Sequence, residues 1–395
     1  MIKHIAIITG QHLVSNPRVW KEANLLYEAG YKVSIFTTWY SSQKLQQDYA
    51  LINQGINYRS SFNLIPSLKI FPAIVYAKAI KRFANLAFQF FKIATIYQEL
   101  YLPRTQLKNI SKYQFDLYIC HQEAGLIIGN RLVKNGHRVA FDFEDYYSED
   151  YINKCRPVKL LKQLESSALQ NALFLTCPSE TMARVIPKDY GIQTPIEVVY
   201  NSFPLQGVGY ADDKIPNSFL WFSQTIGPGR GIEQFINAIK KLESSVEVHF
   251  VGNINDVYKQ FLFQEMLASN HTIRIIPLLS HADLLHYISR FEVGLALELD
   301  MPSNKNITIS NKILLYLQMN LKVVASKTLG QLELQPNFSE QISYVDINET
   351  EEFSSILNTI IQASSNSMVF DTDNKFSWEK TGGKIIKLVE SSLQQ

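Results

Sequence analysis

Hydrophobic positions in this chain come in short runs that alternate with longer stretches of helical spacing. Residues 5–9 form an apolar run of strand length, and 18–29 place Val19, Ala23 and Leu26 on one helical face. Gly30 stands where helices commonly end, and 32–37 then read as a second strand. Further strands are predicted at 116–120, 138–143, 173–176 and 197–200. Strands and helices in this alternation predict βαβ units and a mostly parallel sheet.

The pattern then restarts. Residues 201–216 are polar, with prolines, glycines and Asp212-Asp213, which suits a linker. Strands follow at 219–223, 246–251, 272–277, 293–297 and 322–326, and Ile232, Phe235, Ile236 and Ile239 mark a helix between the first two. The expected organisation is an α/β domain over 1–203, a second over 204–375, and a terminal helix within 376–395. The two halves share a pattern but no repeated sequence.

Composition narrows the class. A length of 395 residues exceeds what one core usually serves, and 46% apolar with 19% charged residues describes an ordinary globular protein. A formal net charge of +2 lacks the basic excess of nucleic-acid binders, so no nucleic acid is expected as a partner. Cys120, Cys155 and Cys177 are odd in number and show no C-x-x-C spacing, which favours a reducing compartment. The first apolar run is too short for a signal segment, and no run of about 18 apolar residues occurs to span a bilayer. A cytoplasmic location is therefore expected.

Candidate chemistry is densest in the second half. The strand at 219–223 runs into Gln224-Thr225-Ile226-Gly227-Pro228-Gly229-Arg230-Gly231, and a helix follows. Glycines Gly227, Gly229 and Gly231 allow a backbone to approach a phosphate closely, and a helix N-terminus offers free N–H groups. Arg230 adds a forked donor suited to phosphate oxygens. A tight strand–helix turn with a solvated arginine explains the loop alone equally well. The next piece shifts that balance: the strand at 293–297 ends in Glu298, which can accept hydrogen bonds from vicinal hydroxyls such as those of a ribose. Thr308, Ser310, Asn311 and Lys312 surround the start of an apolar helix, a second anion-binding terminus, although Ser310 also reads as a plain N-cap.

The runs WFSQTIGPGRGIE from Trp221, VGLALE from Val293, TISNKILLYL from Thr308 and KVVASKTLGQ from Lys322 resemble the C-terminal domain of family 4 glycosyltransferases. SNPRVWKEANLLYEAGYKVSIF, from Ser15, is similar to that family's first helix and second strand. The resemblance implies the GT-B fold, with two facing Rossmann-like domains, and sugar transfer from a nucleotide donor with retention. It places Arg230 on the donor diphosphate and Glu298 at the first position of a paired-glutamate motif. Leu315 stands where the second glutamate is expected, and Gln224 or Thr225 where a further basic residue is. With Lys312, Arg230 would stabilise the leaving diphosphate, so no metal and no cofactor beyond the nucleotide-sugar substrate is expected.

In the first half, Phe141-Asp142-Phe143-Glu144-Asp145-Tyr146-Tyr147 resembles the superfamily segment that faces the transferred sugar, with Glu144 where many members have histidine. Asp142 and Glu144 are therefore catalytic candidates; the plainer reading is an acidic solvated loop. Gly10 in the turn after the first strand, Asn16 and Arg18 at the start of the first helix, and His121 at a strand end are acceptor-contact candidates. His12 beside Gly10 reads as structural. His281 and His286 lack the i, i+4 spacing of a metal pair.

Residues 64–112 stand apart. Lys69, Lys78, Lys81, Arg82, Lys92, Arg104, Lys108 and Lys112 face the single acid Glu99, with aromatic residues interleaved. Such a stretch can lie on an anionic membrane surface, or simply form domain helices with a wet basic face. The leading expectation is a hexosyltransferase extending a glycan or lipid-linked acceptor in cell-envelope or exopolysaccharide synthesis. A nucleotide-sugar epimerase and a non-catalytic sugar-binding relative are the alternatives.

Overall fold

The computed structural model describes residues 2–150, 156–204, 214–363 and 376–394. Cys155 and the stretch 205–213 of the expected linker lie outside the described residues. The chain divides into two compact units, 1–200 with 382–395, and 201–381.

The first unit runs β1 (His4–Ile8), α1 (Pro17–Glu28), β2 (Lys32–Trp39), α2 (Ser42–Leu51), β3 (Asn57–Asn63), α3 (Phe71–Phe91), α4 (Pro103–Ile110), β4 (Leu117–His121), α5 (Gln122–Lys134), β5 (Val139–Asp142), α6 (Val158–Asn171), β6 (Leu175–Cys177), α7 (Glu180–Tyr190) and β7 (Glu197–Val198). Its strands pair in parallel in the order β3-β2-β1-β4-β5-β6-β7. The strand order turns at β1, between β2 and β4. In an open α/β sheet ligands settle beyond the carboxyl ends of the strands at that switch point.

The second unit repeats the plan with β8 (Ser218–Ile226), α8 (Ile232–Ile239), β9 (Glu247–Ile254), α9 (Asp256–Met266), β10 (Thr272–Ile276), α10 (His281–Ile288), β11 (Val293–Ala296), α11 (Ser303–Ile307), α12 (Asn311–Gln318), β12 (Lys322–Ser326), α13 (Leu329–Leu332), α14 (Gln335–Phe338), β13 (Ile342–Val345) and α15 (Thr350–Gln362). Its parallel order is β10-β9-β8-β11-β12-β13, with the switch between β8 and β11. A core of Phe219, Trp221, Phe235, Phe250, Leu295 and Phe353 fills the space between this sheet and its helices.

The last helix, α16 (Trp378–Gln394), ends on the first unit. Lys384 Nζ donates to the Val198 carbonyl (2.9 Å) and pairs with Glu197 (2.7 Å), and Arg138 reaches the carbonyl of Ser392. Cys120 and Cys177 are both buried, and the Cys177 thiol donates to the Ser179 carbonyl (3.3 Å).

The interior strands fall where the apolar runs predict them. Edge strands β3 and β13 do not announce themselves. Each has one neighbour, and the β3 sequence NYRSSFN buries only Tyr58, Ser61 and Phe62. A half-exposed edge needs no continuous apolar run, so hydrophobicity alone misses it.

Candidate active site

The first cluster lies at the switch point of the first unit. Its foundation is α1, which buries Val19, Ala23 and Leu26 as periodicity requires, and also Arg18, Lys21 and Glu22. Asn16 caps this helix by accepting from the Val19 N–H (3.4 Å), and its side-chain amide donates to Glu144 Oε1 (2.8 Å). Arg18 donates from Nε to Asp142 Oδ2 (2.7 Å) and from Nη1 to the Val199 carbonyl (2.6 Å). One helix start is thereby tied to the ends of β5 and β7.

His121 is the centre. Its Nδ1 lies 3.0 Å from Glu144 Oε1 and its Nε2 3.1 Å from Glu22 Oε2. With a carboxylate against each nitrogen, the ring is best satisfied as an imidazolium. Burial alone would lower its pKa, but Glu22, Glu144 and Asp142 together raise it to about 10. Burial and the neighbouring Arg18 push the Lys21 ammonium well below its ordinary value, against a smaller pull from Glu144. Arg18 and His121 thus face Glu22, Asp142 and Glu144, with Lys21, whose charge burial disfavours, beside them.

This network opens at one end. The side chains of Arg18, Glu22, His121 and Asp142 are at most 2% exposed, whereas that of Glu144 is 14% exposed. Asp142 and Arg18 are therefore buried beneath Glu144, the most exposed of the three carboxylates. Glu22, His121 and Asp142 also bring possible metal-ligand atoms within 4.8 Å of one another. Arg18 already pairs with Asp142 there and His121 holds its proton, so the donor set fits a proton-bearing network better than a divalent ion.

Around this cluster the backbone is tightly set. A Cβ on Gly10 would come within 2.9 Å of Ala124 Cβ, so the β1 turn packs directly on the start of α5. Gln122 has φ of 63°, a left-handed value uncommon outside glycine, and its side chain accepts from Thr9 Oγ1 (2.8 Å). His12 is structural: Nε2 accepts from the N–H groups of Tyr40 (3.1 Å) and Ser41 (3.2 Å), leaving Nδ1 to donate to Asp48.

The second cluster lies at the switch point of the second unit. β8 runs to Ile226, longer than the apolar run suggests, and breaks register with β9 between Phe222 and Thr225. The loop 227–231 then turns into α8 with Gly229 at φ 73° and Gly231 at φ 75°. A Cβ on Gly231 would sit 2.7 Å from Leu297 Cβ, so the loop lies flush against the end of β11. Next to it, Gly294 leaves room for the ring of Tyr316, whose hydroxyl donates to the Leu220 carbonyl (2.9 Å). That contact anchors the second turn of α12 across β11.

Glu298 is fastened by its own N–H, which donates to Ser326 Oγ (2.6 Å). Lys312 Nζ donates to Glu298 Oε1 (3.0 Å) and Ser310 Oγ (3.3 Å), and lies 5.3 Å from the centre of the Trp221 ring. Lys305 Nζ stands 3.7 Å from Glu298 Oε2 and donates to the Gly229 carbonyl (3.3 Å). Arg230 donates to Ser223 Oγ (3.2 Å). Burial would raise the Glu298 pKa, but Lys312, Lys305 and Arg230 together hold it below the ordinary carboxylate range. Three cations for one carboxylate leave a local positive excess, a place for an anion.

The remaining residues singled out in the sequence take different positions. Ser310 is the N-cap of α12 but makes no side-chain capping bond, so its hydroxyl is engaged with Lys312 instead. Thr308 donates to the Asn304 carbonyl (2.6 Å) and closes α11. Asn311 is exposed at the head of α12, and Gly227 is buried with open space on its Cβ side. Leu315 is in the core. Lys305, Glu22 and Lys21 were not singled out from sequence. Lys305 sits in a polar loop that only the fold turns into α11, and the α1 pair resembles any solvated helix face.

No family model matches the chain, and no curated protein sequence does. Solved structures do. HepE from Anabaena, solved in complex with UDP and glucose, is 13% identical with TM-score 0.68, covering 98% of this chain and 100% of that one. A glycosyltransferase from Rickettsia africae is 13% identical with TM-score 0.65, covering 100% and 99%. A candidate UDP-N-acetylglucosamine 2-epimerase from Listeria monocytogenes is 10% identical with TM-score 0.60, covering 99% and 96%. The likeness establishes the architecture: this chain has the GT-B fold, two doubly wound parallel-sheet domains in sequence.

Proposed function

We propose that this protein is a metal-independent, retaining hexosyltransferase that moves a sugar from a nucleoside-diphosphate sugar to a glycan or lipid-linked acceptor. Cell-envelope or exopolysaccharide synthesis is the setting this chemistry suits. The observation that carries the reading is the convergence of Arg230, Lys305 and Lys312 on Glu298, at the switch point beside the 227–231 loop. Arg230 and Lys312 receive the diphosphate and stabilise its charge as the glycosidic bond breaks, an electrostatic role that needs no metal. Glu298 accepts from ribose hydroxyls, and Gly227, Gly229, Gly231, Ser310 and Asn311 surround the phosphates with backbone and hydroxyl donors. Thr308 shapes the α11–α12 turn.

In the first domain Glu144 faces the substrate and orients an acceptor hydroxyl or stabilises an oxocarbenium-like centre. Asp142, Arg18, Asn16 and His121 position it. A cytoplasmic protein working against an anionic bilayer through 64–112 accounts for the exposed aromatic residues of α3, and no described helix is long and apolar enough to cross a membrane.

The likeness to an epimerase of the same fold keeps one alternative in view. A thermal-shift panel of nucleoside diphosphates, UDP first, tests donor binding, because a ligand of the folded state raises its stability. Incubation with the responding nucleotide-sugar then separates the activities. Transfer or slow hydrolysis supports the transferase; an epimerised donor without acceptor supports the alternative; no response to any nucleotide overturns both.

A further inference from the structure

A cavity of about 390 Å³ lies in the first unit beside Gly10, Thr38, Tyr40, Lys78, Lys81 and Glu99. It stands beyond the carboxyl ends of β1, β2 and β3, on the ligand-binding side of the sheet. Helix α3 forms one wall. Ile74 and Ala77 seat that helix on Phe62 and Leu64, which turns Lys78 and Lys81 of the following turn toward the opening.

Among the described residues, neither lysine is hydrogen-bonded to a carboxylate of the wall. Lys81 Nζ lies 4.7 Å from the centre of the Tyr101 ring, and Glu99 and Glu123 act on it through charge without a hydrogen bond. Burial lowers the pKa of Lys81 and raises that of Glu99, and the attraction between the two only partly offsets it. Tyr40, held edge-on against His12 with ring centres 4.4 Å apart, supplies an aromatic wall beside Tyr101. Such faces suit the C–H side of a sugar ring. Cavities of this size hold small ligands.

We infer that this cavity is the acceptor subsite and that it selects acceptors bearing a glycosyl phosphate. Lys78 and Lys81 take the phosphate oxygens, and the sugar lies between Tyr40 and Tyr101. The assignment rests on the transferase reading above, and it adds what that reading leaves open: the acceptor is anionic. The phosphate can come from a lipid-linked glycosyl diphosphate or from a water-soluble sugar phosphate. The opposite side of α3, with Phe83, Phe90 and Phe91 each at least 70% exposed, suits the former.

Calorimetric titration of the full chain, with the donor site filled by saturating UDP, tests this with glucose 1-phosphate and glucose as probes. Glucose 1-phosphate should bind, glucose should bind far more weakly, and K78Q/K81Q should weaken glucose 1-phosphate by about tenfold or more. The variant should keep its melting temperature and its UDP affinity. Equal affinity for the two probes, an unchanged affinity in the variant, or no binding of glucose 1-phosphate overturns the assignment. Glucosyl farnesyl diphosphate in neutral micelles identifies the source: about tenfold tighter binding than glucose 1-phosphate supports a lipid-linked acceptor, and equal binding a soluble one. If wild type binds no UDP, the transferase reading falls; if UDP binds and the lysine variant changes nothing, only the acceptor assignment falls.

Discussion

Lys312 Nζ lies 3.0 Å from Glu298 Oε1, joining the first turn of α12 to the end of β11. Both side chains are under one-fifth exposed, 11% and 17%, so the pair is shielded from water. A nucleotide that uses Lys312 and Glu298 finds them already held in place.

The sign of the pH dependence at this pair follows from Glu298. Its folded-state pKa is depressed, because the pull of Lys312, Lys305 and Arg230 exceeds the upward effect of burial. Its stabilisation is present above the unfolded-state pKa and is lost as pH falls through the folded value. Lys312→Met should cost about 1–3 kcal/mol at neutral pH by leaving a shielded carboxylate short of a partner. Urea unfolding at decreasing pH should show that difference shrink as Glu298 protonates. The same variant should lose the thermal shift given by UDP.

His121 titrates in the opposite sense. Its pKa is raised to about 10, so its contribution is full below the ordinary histidine value and disappears as pH rises through about 10. NMR of the imidazole should find the ring charged throughout the neutral range. Glu22→Gln removes one of the three carboxylates around it and should bring the alkaline loss of stability to lower pH. An ordinary titration near neutrality would contradict the imidazolium assignment.

Two glycines of one loop should respond differently to alanine. Gly231 has a left-handed φ and no room for a Cβ against Leu297, so Gly231→Ala should cost about 1–3 kcal/mol. Gly227 has open space on that side, so Gly227→Ala should leave the melting temperature nearly unchanged. A loss of UDP affinity in Gly227→Ala without a loss of stability would mark the loop as a phosphate contact.

Helix α3 separates folding from surface attachment. Phe83, Phe90 and Phe91 are 71%, 70% and 74% exposed, so replacing all three with serine should leave the unfolding transition in place. Co-sedimentation with anionic vesicles should fall in the triple variant, and wild type should prefer anionic over neutral lipid. Equal sedimentation with both lipids would refute the membrane role.

Much of the architecture is legible in sequence for one reason. Interior parallel strands are buried on both faces, so 5–8, 293–297 and 323–325 appear as continuous apolar runs whatever surrounds them. Glu298 stands out because it directly follows such a run, and loop 227–231 because it lies shortly after the strand at 219–223. The chain by itself therefore determines two successive α/β units and the strand ends at which chemistry collects.

Tertiary structure decided which charges meet. Arg18, Lys21 and Glu22 look like the wet face of an amphipathic helix, yet they are buried, because α1 lays that face against the strand ends that carry His121 and Asp142. Lys305 becomes a partner of Glu298 only when α11 folds the loop back over β11. Periodicity reports how a helix is striped, and it says nothing about what lies opposite each stripe. Pairing across elements distant in sequence is set by packing, and this protein's buried charge network is such a pairing.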